Sequence, residues 1–144
     1  MNVGPPVLVD SSAFIEYYRP AGLPAAQAAV AEAIGAQRVC VNGIIKVEIV
    51  AFAPDEASYR KLQADFRAFH WLDLGPEEFA LATELGFKLR RQAITVPPTD
   101  LIIAASAIRA GANLYHVDAH FDMIAKHSKL SSRHLAPREK GSGT

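Results

Sequence analysis

An α/β fold, a central parallel sheet covered by helices on both faces, is the architecture this sequence predicts. Short apolar runs of the kind that form buried strands alternate along the chain with longer segments of helical periodicity. No tight hairpin signal joins two of those runs, so the strands are expected to be linked by helical crossovers. At 144 residues, half of them hydrophobic, the chain is expected to fold as one domain. A domain of this size buries roughly 70% of the surface its unfolded chain exposes.

Val7 to Val9 is the first strand, and it delivers Asp10 at its end. The following S-S-A-F-I-E-Y-Y is a helix with Ser11 or Ser12 as its cap, stopped by Pro20 and Gly22. From Pro24 to Gly35 an alanine-rich helix places Leu23, Ala26, Val30 and Ile34 on one face. R-V-C-V is the second strand. The run I-I-K-V-E-I-V-A-F-A has the Ile and Val content of a strand, but its length and lack of alternation favour a helix, capped by Asn42 and ended by Pro54. Glu48 lies in it among Ile44, Ile45, Ile49 and Phe52.

Asp55 caps an amphipathic helix bearing Tyr59, Leu62, Phe66 and Phe69, and His70 to Leu74 is the third strand. Pro76, Glu77 and Glu78 open a helix whose apolar stripe is Leu81, Leu85 and Leu89, with Arg90 and Arg91 suited to its carboxyl end. Pro97 and Pro98 then deny the backbone a helix before them, and Thr99 is the expected cap of the next. Leu101 to Ile108 is apolar except for Ser106, which places that helix inside the protein. Gly111 ends it, and Leu114 to Val117 is a strand running into Asp118. Beyond Asp122 the segment M-I-A-K-H-S-K-L is short and mixed, and S-S-R-H-L reads as a final edge strand. The domain is expected to span residues 1–136, with 137–144 as a mobile tail.

Acidic and basic side chains balance at 15 each, which argues against a whole-surface positive field for coating nucleic acid. A local basic groove around an acidic site remains compatible with that balance. Lys46, Arg19, Arg90, Arg91 and Lys126 are the candidates for guiding a phosphate backbone. Cys40 is the only cysteine, so an intramolecular disulfide is excluded and a cysteine zinc site is disfavoured. The amino terminus lacks the basic and apolar regions of a signal peptide, and no apolar run approaches the ~20 residues of a membrane span. A cytoplasmic, soluble protein is the expectation.

Four acids carry the chemistry: Asp10, Glu48, Asp100 and Asp118. Each alone has an ordinary explanation, Asp10 as a helix cap, Asp100 in a helix first turn, Asp118 in a turn and Glu48 on a partly exposed face. Together they do not, because Asp10 and Asp118 end strands of a parallel sheet, where sites in such folds lie. An ionised carboxylate in an apolar surround costs several kcal/mol or becomes protonated, and clustering worsens this unless a cation is present. An oxygen-only site without His or Cys support suits Mg²⁺ or Mn²⁺ rather than zinc. Such metals at the mouth of a sheet suit phosphodiester hydrolysis.

The order L-V-D-S-S-A-F-I, then a glutamate in an Ile/Val-rich helix, then T-D-L-I-I-A-A, then V-D-A-H-F-D resembles the PIN-domain ribonucleases, and the length resembles the VapC-type toxins of toxin–antitoxin pairs. The similarity runs from Val7 to about Leu135. It implies a three-layer α/β/α fold and a Mg²⁺- or Mn²⁺-dependent endoribonuclease whose metal-ligating and catalytic residues are Asp10, Glu48, Asp100 and Asp118. It further implies an RNA substrate, a homodimer and a cognate antitoxin that inserts a segment near the site. Ser11 and Ser12 match the hydroxyl usual after the first acid, which holds a carboxylate or a metal-bound water. His120 stands where the family often has a further acid, and His116 where it often has Thr or Ser. Ser12, His120 and Asp122 are auxiliary candidates.

Two other classes compete. A signalling receiver needs an acidic pair after its first strand and a late lysine after a strand, but Ser11-Ser12 follows Asp10 and no late strand ends in Lys; a phosphoaspartate hydrolase needs an acid where Ser12 stands. A catalytically silent PIN-like domain that only binds RNA or a partner is the remaining alternative, and the presence of all four acids argues against it.

Overall fold

In the computed structural model, which describes residues 4–136, all strand pairings are parallel. The strands are β1 (Val7–Val9), β2 (Val39–Val41), β3 (His70–Trp71), β4 (Asn113–His116) and β5 (Ser131–His134), in the spatial order β3-β2-β1-β4-β5. The central positions fall to the apolar runs V-L-V and V-C-V, which are buried along their whole length. A parallel sheet covered on both faces requires that. The polar β5 and the exposed two-residue β3 take the edges. The residues expected to form a mobile tail, 137–144, lie outside the described residues.

Seven helices connect these strands among the described residues: α1 (Ser11–Tyr18), α2 (Pro24–Gly35), α3 (Gly43–Val50), α4 (Glu56–Ala68), α5 (Pro76–Arg91), α6 (Pro98–Ala110) and α7 (Ala119–Lys126). Phe14, Phe121, Leu8, Ile45, Ile103, Leu114 and Ile124 are fully buried between helices and sheet. Each such side chain contributes roughly 1.5–3 kcal/mol relative to exposure. The interior helix expected from Leu101–Ile108 is α6, with Ile103 to Ala107 buried and Gly111 closing it at φ 63°, a backbone that glycine adopts without strain. Among the described residues no helix is long and apolar enough to cross a membrane.

Several local expectations are corrected. Asp10, not Ser11 or Ser12, caps α1, since its side chain accepts the Ser12 N–H while both serines lie inside the first turn. Thr99 does not cap α6: the helix begins at Pro98, whose missing N–H removes one donor that a cap would serve. The third strand stops at Trp71, because its partner β2 ends at Val41 where Asn42 caps α3 by accepting the Ile45 N–H. β4 closes at His116 rather than Val117, whose N–H is taken by a serine hydroxyl. The first half of the mixed segment after Asp122 belongs to the helix α7, which starts already at Ala119 and is held by Phe121 and Ile124.

Because the strands are parallel, their carboxyl ends share one edge of the sheet. Helices that follow a strand directly (α1, α3, α7) start at that edge, and α6, which leads back into β4, also has its amino end there. The edge therefore collects Asp10, Asp118 and the first turn of α6.

The α1–α2 connection depends on close backbone approach. A Cβ on Gly22 would lie 1.8 Å from the Glu16 carbonyl oxygen. Gly22→Ala is expected to destabilise the fold by about 2 kcal/mol, read as a lowered urea midpoint at unchanged slope; an unchanged midpoint would contradict this packing.

Candidate active site

Asp10 leaves β1 buried, with only 4% of its surface exposed. Its Oδ2 accepts the Ser12 N–H at 3.0 Å and the Ser12 hydroxyl at 2.6 Å. The same hydroxyl oxygen accepts the Val117 N–H at 2.9 Å, and the Asp10 N–H donates to the Tyr115 carbonyl at 2.9 Å. One side chain, Ser12, thus ties the exit of β1 to the exit of β4. The neighbouring Ser11 donates its hydroxyl to Glu48 Oε1 at 2.6 Å, bringing α3 to the same place.

Asp118 caps α7, accepting the His120 N–H at 2.9 Å. Asp100, in the first turn of α6, is 9% exposed. His120 Nδ1 stands between the two, 3.0 Å from Asp100 Oδ2 and 3.2 Å from Asp118 Oδ1. These three residues each offer a ligand atom within 4.8 Å of one another. The four acids named from the sequence therefore meet at one edge of the sheet, two through serine hydroxyls and two through His120.

The electrostatics are adverse. Burial pushes the Asp100 carboxyl up to about 6, and the charges of Asp118 and Asp10 push the same way against a smaller opposing effect of His120. Burial also raises Asp10, outweighing its hydrogen bonds to Ser12, and Glu48 adds to the rise. Helix amino ends offset roughly 0.3–1 kcal/mol per charge, too little to cancel such a cluster. Among the described residues no Lys or Arg forms a salt bridge with any of the four. A buried, mutually repelling oxygen donor set of this kind fits a hard divalent cation.

Not every candidate is brought here. Asp122 turns to the other side of α7, where its Oδ2 lies 2.7 Å from His134 Nδ1 and its Oδ1 3.6 Å from His116 Nε2. His116 and His134 are register partners at the ends of β4 and β5. Burial pushes His116 down to about 4 despite the nearby Asp122. Sequence reading missed His134, although two histidines ending successive strands were a usable signal. Of the basic candidates, Arg19 is paired with Glu16 at the far end of α1, and Lys126 ends α7 away from Asp118. Lys46 lies on α3 over Trp71, and Arg90 lines a hollow with Val96 and Pro98 beside the start of α6.

The sequence matches the PIN domain over residues 7–127. It is 32% identical over 129 residues to ribonuclease VapC11 of Mycobacterium tuberculosis, an alignment covering 88% of this chain and 96% of that protein. The fold superposes on FitAcB from Neisseria gonorrhoeae with a TM-score of 0.74 at 17% identity, covering 90% of this chain and 97% of that one. It also superposes on VapBC-5, a member of the VapBC family of toxin–antitoxin systems from Mycobacterium tuberculosis, with a TM-score of 0.64 at 17% identity, covering 91% and 100%.

The raised Asp100 carboxyl gives the metal-free protein a pH signature. A carboxyl whose folded pKa lies above its ordinary value of 3.8 favours folding at low pH, and that contribution is lost as pH rises through about 6. Asp100→Asn is expected to stabilise the metal-free fold by about 2 kcal/mol near neutral pH and to flatten the decline of stability above about pH 4. Urea titrations in chelator across that window measure both, and equal profiles for the two proteins would refute the origin assigned to the shift.

Proposed function

The chain belongs to the PIN-domain family, and from that premise we propose that it is a metal-dependent endoribonuclease acting as the toxin of a toxin–antitoxin pair. The observation that carries the reading is the burial of mutually repelling carboxylates at the sheet edge with no Lys or Arg partner among the described residues, where Asp100 is pushed up to about 6. Such a cluster costs stability unless a cation occupies it, so it is explained by what it binds. The name of the relative VapC11, a ribonuclease aligned over nearly the whole chain, supplies the substrate class.

Asp10, Asp100 and Asp118 would hold the ion, with Glu48 completing the donor set. Bound there, a divalent ion supplies a Lewis acid for the phosphodiester and lowers the pKa of the attacking water. Ser12 fixes which oxygens of Asp10 face the site, since its own hydroxyl is committed in both directions. Ser11 engages Glu48 Oε1, leaving Oε2 to take the proton of the attacking water. Water adds at phosphorus, the bond to the leaving ribose oxygen breaks, and that oxygen takes up a proton from solvent. The starts of α1, α6 and α7 surround the site with helix amino ends, which favour a phosphate there.

An antitoxin partner belongs to the same reading. Beside Glu48 an apolar groove of about 340 Å³ is lined by Phe14, Ile15, Tyr18, Ile49, Phe52 and Leu62. Phe52 is 78% exposed, a hydrophobe left uncovered next to the site, and it suits an inserted apolar segment of a partner protein. The homodimer implied by the resemblance is likewise proposed here, and light scattering of the purified chain measures it.

Cleavage of total cellular RNA by the purified protein is expected with Mg²⁺ or Mn²⁺ and to stop with chelator. Asp10→Asn is expected to lower the cleavage rate by on the order of a hundredfold or more while circular dichroism stays unchanged. Wild-type rates in chelator, or in both Asp10→Asn and Asp100→Asn, would remove the assignment.

A further inference from the structure

Among the described residues, the imidazole of His120 is the nitrogen donor placed among the acids. Its backbone is fixed by the cap of α7, since the His120 N–H donates to Asp118 Oδ1 at 2.9 Å. Its Nδ1 lies 3.0 Å from Asp100 Oδ2 and 3.2 Å from Asp118 Oδ1. Neighbouring ligand atoms of an octahedral ion with bonds of about 2.1 Å are themselves about 3 Å apart. The three atoms thus have the spacing of adjacent ligands on one ion. The ring is also presented correctly: a ligating histidine needs its second nitrogen to donate a proton to a carboxylate, carbonyl or water. The His120 side chain is 46% exposed, so water can accept that N–H.

The second histidine-containing cluster fails this test. His116 Nε2 is fully buried and unpartnered, and it faces Asp122. Its other nitrogen, Nδ1, accepts the Asp118 N–H at 3.2 Å, which leaves the ring proton on Nε2 and denies that atom to a metal. Within that cluster only Asp122 and His134 are hydrogen-bonded, at 2.7 Å, while His116 Nε2 stands 3.6 Å from Asp122, and the histidine suited to ligation is His120.

We propose that His120 Nδ1 is a direct ligand of the divalent ion held by Asp100 and Asp118, and that it sets the preference of the site for Mn²⁺ over Mg²⁺. This rests on the proposed metal-dependent activity. The physical basis is ligand chemistry: Mg²⁺ binds through oxygen and retains water, whereas first-row transition ions accept imidazole readily. Replacing a carboxylate by an imidazole also removes one negative charge from the site. That weakens the electrostatic attraction both ions share and leaves the nitrogen bond to discriminate between them.

The test is metal binding by the full chain without RNA. Mn²⁺ uptake, followed by electron spin resonance and competed with Mg²⁺, gives the affinity ratio; pulsed spectra of bound Mn²⁺ report a coordinated imidazole nitrogen, which labelled histidine in the wild-type protein identifies as histidine. The wild-type protein is expected to show the nitrogen signal and a clear Mn²⁺ preference. His120→Ala is expected to lose the signal, and His120→Asp to lose it and lower the Mn²⁺ to Mg²⁺ ratio by roughly tenfold or more. Asp100→Asn is the control for the carboxylates. Mn²⁺ uptake that depends on Asp100 but shows no nitrogen signal, or an unchanged ratio in both His120 variants, overturns the His120 assignment and leaves the carboxylate site standing. Absence of any uptake by the wild-type protein overturns both.

Discussion

Like charge collected at the carboxyl edge of a parallel sheet is the constraint on which the other features of this molecule depend. Parallel strands deliver their ends to one side, and here β1 and β4 deliver Asp10 and Asp118 while α6 starts with Asp100. Nothing in the strand pairing itself would hold these groups together against their repulsion. What holds them is a framework of neutral donors and rigid elements. Ser12 bridges Asp10 to the backbone of Val117, Ser11 reaches Glu48, and Asp100 is carried by a helix whose Ile103, Ala104, Ala105 and Ala107 are wholly buried. The apolar burial of α6 is therefore also a positioning device, because a helix anchored along its length cannot retreat from the cluster.

The folded protein stores an unfavourable interaction at its site and offsets it through the core. Raised carboxyl pKa values at Asp10 and Asp100 express that cost, and a bound cation reverses its sign by turning repulsion into shared ligation. On the proposed reading, stability and activity would pull against each other at Asp100: the neutral amide suits the metal-free fold, and the carboxylate would suit the ion.

Most of this frame was legible in the sequence because it rests on strong local signals. The runs V-L-V and V-C-V, the prolines at 20, 76, 97 and 98, and Gly111 marked strands and helix limits to within a residue or two, whereas the helix expected to run up to Pro54 ends at Val50 and the third strand ends three residues early. The failures fell where local and tertiary demands coincide. Asp10 was open to reading as a cap or as a site acid, and the serines that follow it competed for the cap, so the sequence alone did not choose among them. The helix α7 was obscured because its start, Asp118-Ala119-His120, carries the site's polar residues and only Phe121 and Ile124 mark its buried face. Side-chain direction was not legible at all. Asp118, His120 and Asp122 lie within five residues, yet the first two face the acids and the third turns to His134. Asp118 is the cap and lies outside the helix, whereas from His120 to Asp122 the helix turns by about 200°, and only its docking decides which face meets the site.

Zero net charge also takes on a physical meaning in this geometry. A polyanionic substrate approaching the bare edge would meet four carboxylates, and the basic groups do not surround it: Arg19 is paired with Glu16, and Lys126 lies at the distal end of its helix. Lys46 lies over Trp71, and Arg90 lines a hollow beside the start of α6. Attraction of a phosphate must then come from helix amino ends and from the ion itself. Metal occupancy and RNA binding are coupled by that arithmetic. On the proposed reading, each divalent ion that enters would cancel two negative charges at the acidic edge, so the ion would serve to dock the substrate as well as in the chemistry.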